Sequence, residues 1–317
     1  MGKIVKKDFK TYEEQINILK AKGIVVKEQQ ILDVTKILEV ENYYSVINGY
    51  KKPFKDPENS ESFIKNCSFE EIYSLFVFDR NVRLIYLKNI LKIEHQVKTI
   101  LGYEFSRLYG NNNYLKINNF DVSNPQKIKE VNKLIDKIKS ETKNQINKNA
   151  EITHYNNKYG FIPLWVLTNI LTIGEISHFY KCLKESDKND ISKHFCLNSY
   201  DMALFLKNLT LARNLCAHDE RFYDYRYKAS IPIKHINNFK VFNIKNNSSG
   251  FYYHGVKDAF SIAVIFTQFL PKEDIRAFIY SMKKEFKVLK KQLNVISIKK
   301  IMRIMGFCSR WTKLIKL

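Results

Sequence analysis

With 317 residues, 45% of them hydrophobic, the chain can bury a full core, and wholesale disorder is excluded. Only 10 Gly and 6 Pro interrupt it, which favours long helices, and its five Cys form no C-x-x-C pair, which argues against a zinc site or a disulfide framework and fits reduced thiols in a cytoplasm. A formal net charge of +21 points to a polyanionic partner, nucleic acid ahead of a membrane surface, although AT-rich coding bias would also enrich Lys.

Met1 to Lys10 carries charges with no apolar stretch behind them, so no signal peptide is expected. Residues 11–22 read as a helix, with Thr11 and Glu14 at capping-box spacing and Gly23 as the stop. A second helix is expected from about Lys27 to Val40, with Ile31, Val34 and Leu38 inward. An aromatic-rich turn follows (Tyr43, Tyr44, Tyr50, Phe54), then a loop over 55–67. From Phe69 to about Leu108 apolar residues recur at helical spacing and predict the longest core helix. Residues 110–124 are Asn-rich and irregular. Residues 125–149 predict a Lys-rich helix with a thin apolar stripe, fit for a surface hairpin or an arm. Further helices are predicted at Leu164–Leu183, from Ser199 to about His218, and at about 255–270 and 272–293. The apolar run from Ala259 to Leu270 is too short to span a bilayer and reads as a buried core helix. From 283 to the end, eleven Lys and Arg face the single Glu285. The fold class is therefore all-α: one mainly helical unit over 68–317, with a peripheral helical element over 1–67.

The chemistry concentrates in Arg213-Asn214-Leu215-Cys216-Ala217-His218. RNA carries its own nucleophile, the 2′-hydroxyl. Cleavage needs a base, an acid for the leaving 5′-oxygen, and a cation for the extra charge on the phosphorane. Histidine suits proton transfer near neutral pH. Arginine matches phosphate oxygens with a fixed fork of donors. No metal is required. On an ideal helix Asn214 and His218 share a face, and Arg213 must reach round with its long side chain unless the helix ends near His218. With one such His per chain, a two-fold dimer would supply both the acid and the base. The structural alternative is a surface salt bridge for Arg213 and a helix-end cap for His218.

Other basic residues are candidate RNA contacts: Arg80 and Arg83 on the long helix, Arg221 behind the motif, and Lys299, Lys300, Arg303 and Arg310 in the tail. Arg80 and Arg83 have an alternative role, ion pairing around Asp79. Glu94 is a candidate to orient Arg213. Tyr43, Tyr44 and Tyr50 could stack bases or sit in the core. The remaining histidines show no ligand spacing.

Arg213-Asn214-x-x-Ala217-His218, with the charged aromatic run behind it, resembles the R-x(4–6)-H motif of HEPN ribonucleases. More specifically, the chain resembles the Abi-like family of phage abortive-infection proteins, of the AbiD/AbiF type. The resemblance spans Thr11-Tyr12-Glu13-Glu14-Gln15, Asn42-Tyr43-Tyr44, Phe78-Asp79-Arg80-x-x-Arg83, Pro163-Leu164-Trp165 and Met305-Gly306-Phe307. It departs at Asn169, where a Glu is expected, and over Ser45 to Asn48. The resemblance implies a HEPN-like helical bundle, a homodimer, and metal-independent endoribonuclease activity without a cofactor. It also implies a cytoplasmic role in antiviral defence, as an effector or as the toxin of a toxin–antitoxin pair, with control by a small noncoding RNA in some relatives. The competing expectation is a non-catalytic protein that holds a structured RNA in a ribonucleoprotein complex.

Overall fold

Thr11 starts the first helix: its hydroxyl accepts from the Glu14 amide, and the Glu14 carboxylate accepts from the Thr11 amide at 2.8 Å. This is the reciprocal cap that the Thr-x-x-Glu spacing predicts. The computed structural model describes residues 8–59, 61–248, 250 and 252–317. Two units make it up, Met1–Leu84 with Tyr280–Met305, and Ile85–Ile279 with Gly306–Leu317. The described residues form an all-α protein, in which only isolated β-bridges occur.

In the first unit, α1 (Tyr12–Ala21) and α2 (Ile31–Glu41) bury Ile16, Leu19, Val34 and Leu38. The predicted start of α2 at Lys27 is instead a 3-10 turn over Glu28–Gln30. The long helix α3 (Phe69–Tyr109) has the expected bounds to within a residue, and its first four turns belong to this unit. Glu71, at 1% exposure, accepts from the amides of Asn294 and Val295 at 2.8 and 3.0 Å. A buried carboxylate is tolerable only with such partners. Lys300 donates to the Pro53 carbonyl, and Phe78 meets Phe286.

The second unit contains α4 (Pro125–Gln145), α5 (Ala150–Tyr159), α6 (Leu164–Ile170), α7 (Ile173–Cys182), α8 (Glu185–Lys193), α9 (Ser199–Ala217) and α10 (Ala259–Phe269). Two helices remain: α11 (Lys272–Gln292), which the unit boundary divides, and α12 (Ile298–Ile304), which belongs to the first unit. The single helix expected over 164–183 is two helices. Thr172 adopts an extended backbone and caps α7 with Glu175, which breaks the apolar run at Leu171. The stripe of α4 is buried at Val131, Leu134, Ile135 and Ile138, and α4 packs on α7 rather than standing out as an arm. The α10 helix is buried along almost its whole length, from Ala259 to Phe266 and at Phe269, as its sequence predicts. No described helix is long and apolar enough to cross a membrane.

Candidate active site

Helix α9 is started by Asn198, whose side chain accepts from the Asp201 amide. One face of α9, including Phe205, Leu206, Leu209, Ala212 and Leu215, is buried, and the helix packs on α7, α8 and α10. The approach to α7 is close at Gly174, where a Cβ would stand 3.2 Å from the Thr210 methyl. Burial of this face fixes the rotation of α9 about its axis. It leaves an opposite stripe, Tyr200, Lys207, Asn214 and His218, exposed.

The helix stops where the motif requires. His218 is the C-cap at φ −99°, and Asp219 turns into the left-handed region at φ 55°. The Glu220 amide then reaches back to the Leu215 carbonyl at 3.1 Å. This six-to-one bond is the signature of a Schellman ending. The chain beyond is anchored. Phe222 and Tyr223 are buried, and Phe222 packs on Tyr86 with ring centroids 4.7 Å apart. Tyr227 is buried and its amide donates to the Lys257 carbonyl at 2.8 Å. Arg226 pairs with Asp258 at 3.0 Å. Asp258 is 1% exposed and caps α10, and burial pushes its carboxyl up to about 6.

Asn214 and His218 are exposed on one face, four residues apart. Arg213, about 100° round the helix, is half-buried. Its Nε is buried and has no hydrogen-bond partner, and among the described residues its guanidinium makes no ion pair. The His218 imidazole likewise has no hydrogen bond or ion pair among the described residues. The surface salt bridge considered for Arg213 is therefore not formed. A buried donor left unmade is costly.

The other predicted residues fall into two groups. Arg83 is 2% exposed, ion-paired to Asp79 at 2.9 Å and bonded to the Tyr50 hydroxyl at 3.2 Å. It is an internal strut and does not present its guanidinium to a phosphate. Tyr50, 3% exposed, is likewise part of the core. Arg80 is partly exposed but held by both oxygens of Glu41, at 2.6 and 2.7 Å. Glu94 pairs with Lys98 at 2.7 Å, not with Arg213. Arg221 is exposed and bonded to Asp224 at 2.6 Å. Lys299, Lys300 and Arg303 are exposed on α12, and Arg310 is exposed at the start of the last turn. Tyr44 is exposed and Tyr43 half-buried.

Sequence reasoning missed a groove of about 440 Å³ between α7 and α9, lined in part by Ser177, His178, Lys181, Tyr200 and Lys207. Polar residues recurring at 200, 207, 214 and 218 were the available signal, because a period of three to four marks one helix face. Among the described residues no three His, Cys, Asp or Glu side chains are placed to hold a metal ion.

Residues 36–224, well over half of the chain, match the model of a family described as Abi-like protein. No curated protein and no solved structure matches the chain.

Proposed function

The chain belongs to the Abi-like protein family, and from that premise we propose that it is a metal-independent endoribonuclease of the HEPN type, acting in the cytoplasm in abortive infection. One observation carries this reading. A guanidinium and an imidazole, unpaired among the described residues, stand at the exposed end of α9, with Asn214 between them on the imidazole's face. A fixed cation and a group that exchanges protons near neutral pH are what phosphodiester transesterification needs.

In this reading His218 of one subunit takes the proton from the 2′-hydroxyl, and the 2′-oxygen attacks phosphorus. The bond from phosphorus to the 5′-oxygen breaks, and that oxygen takes a proton from the second subunit's copy of the same imidazole. Arg213 holds the non-bridging oxygens as charge accumulates on them. Asn214 orients the phosphate or the imidazole. The products are a 2′,3′-cyclic phosphate and a 5′-hydroxyl. The centre is composite and belongs to a homodimer, which supplies acid and base from one residue type. A small noncoding RNA that occupies the centre without being cut would hold the effector silent.

The test is digestion of RNA in EDTA by the wild type, Arg213→Ala and His218→Ala, with the chemistry of the new ends determined. Cyclic phosphate ends from the wild type alone are expected. Equal cleavage by all three proteins would remove these residues from the site.

A further inference from the structure

The α7–α9 groove lies on the same stripe of α9 that ends in Asn214 and His218. Its walls carry two exposed lysines, Lys181 on α7 and Lys207 on α9. Neither lysine makes an ion pair among the described residues, unlike Lys133 and Lys137 on the neighbouring α4, which pair with Glu130 and with Glu141 and Glu175. Tyr200 stands at one end with 72% of its surface exposed. Ser177 and His178 line the α7 side. Burial lowers the His178 pKa, so its ring is neutral at neutral pH. Its buried Nε2 faces the Glu130 carboxylate of α4 at 3.4 Å.

Free cations, an exposed aromatic face and neutral polar groups in one groove are the components of sequence-tolerant single-strand binding. Gly174, Ala203 and Leu204 line the groove beside Tyr200, apolar surface against which a stacked base can rest. Distance fits a strand as well. From Lys207 to His218 the helix rises by about 16 Å at about 1.5 Å per residue. A stacked strand at about 3.4 Å per nucleotide covers that distance with about five nucleotides.

We infer that this groove is a subsite for single-stranded RNA, which seats the strand about five nucleotides from the scissile bond. Lys181 and Lys207 hold phosphates there, and Tyr200 stacks a base. The inference rests on Arg213 and His218 being the cleavage site. It adds that the protein selects unpaired substrates and ignores short ones.

The experiment measures binding of fluorescein-labelled unstructured RNAs of four and twelve nucleotides, and a duplex of the longer one, to the His218→Ala protein. The background removes cleavage from the reading. Tyr200→Ala, Lys181→Ala and Lys207→Ala are added singly and together, with circular dichroism and melting as controls for folding. For the twelve-nucleotide strand, Tyr200→Ala should weaken binding about tenfold. Each lysine variant should reduce the slope of log affinity against log salt by about 0.7. The duplex should not respond to Tyr200→Ala, and the four-nucleotide strand, which can fill the groove but not also reach His218, should bind more weakly than the longer one. In the cleaving protein the same variants should raise KM for long substrates and leave kcat unchanged.

Unchanged affinity and salt slope in the triple variant would overturn the inference, as would a wild-type groove that fails to bind the long strand. If the groove variants weaken binding while neither form cuts RNA, the subsite stands and the cleavage reading falls. If cleavage depends on Arg213 and His218 but not on the groove, the subsite alone falls.

Discussion

Replacing Arg213 with methionine should separate stability from function. Methionine keeps most of the apolar stem of arginine and removes the guanidinium. In the free chain that group has a buried Nε without a partner and makes no ion pair among the described residues. A buried donor left unmade costs about 1–3 kcal/mol. Because the residue is only half-buried, the lower end applies, so Arg213→Met should stabilise the fold by about 1 kcal/mol. For a unit of 150–250 residues this raises Tm by about 2–4 °C. Losing a fork of donors from a transition-state phosphate should lower kcat/KM by about a hundredfold or more. Urea unfolding at neutral pH, followed by tryptophan fluorescence, gives the first number, and single-turnover cleavage gives the second. A variant at least about 1 kcal/mol less stable than the wild type would refute the reasoning, because Arg213 would then have an intramolecular acceptor in solution.

Removing one partner of the buried Arg83–Asp79 pair by Asp79→Ala should cost about 3–5 kcal/mol in chemical denaturation, since Arg83 is left charged and uncompensated. The Asp258 carboxyl is raised by burial from 3.8 to about 6. A raised acid binds its proton more tightly in the folded state, so the stabilisation is present at low pH and is lost as pH rises through about 6. Relative to Asp258→Asn, the wild type should therefore lose about 2 kcal/mol of unfolding free energy between pH 4 and pH 7, and a flat difference would contradict the assignment. Gly306 has φ +86°, and a Cβ there would stand 2.0 Å from an oxygen of Asp258. Gly306→Ala should accordingly lower stability by at least about 2 kcal/mol, read from the melting temperature. If one centre needs both copies of His218, refolding equal amounts of wild type and His218→Ala together should leave about a quarter of the activity rather than half, because only wild-type pairs are complete.

The long-range geometry was the least legible in sequence, and the local signals the most. The start of α1, the extent of α3 and the end of α9 follow from patterns within a few residues: Thr11 with Glu14, apolar recurrence from Phe69, and the charged run after His218. The break between α6 and α7 was also written locally, as Thr172 with Glu175. The uninterrupted apolar run across Leu171 masked it. Helices α5 and α12 are short, and neighbouring packing is what makes them stable. For Arg83 the sequence leaves open an RNA contact or ion pairing around Asp79; the Asp79 pair forms, and what nothing nearby reveals is Tyr50, which reaches it from 33 residues away. The site was legible as a motif. That Arg213 makes no ion pair among the described residues, and that α7 and α9 leave a groove between them, depend on how distant helices meet, whereas the turn of Glu94 to Lys98 is local, four residues along α3.

The left-handed turn at Asp219 also says something about descent. Behind a C-cap, a residue with positive φ is readily supplied only by Gly, Asn or Asp. Relatives that end this helix in the same way should therefore show one of those three residues directly after the histidine, whether or not they cut RNA. An invariant acid at that position would be a record of backbone shape before it was a record of catalysis. The informative drift to look for among diverging copies lies at Arg213 and Asn214, where the fold itself demands no particular side chain.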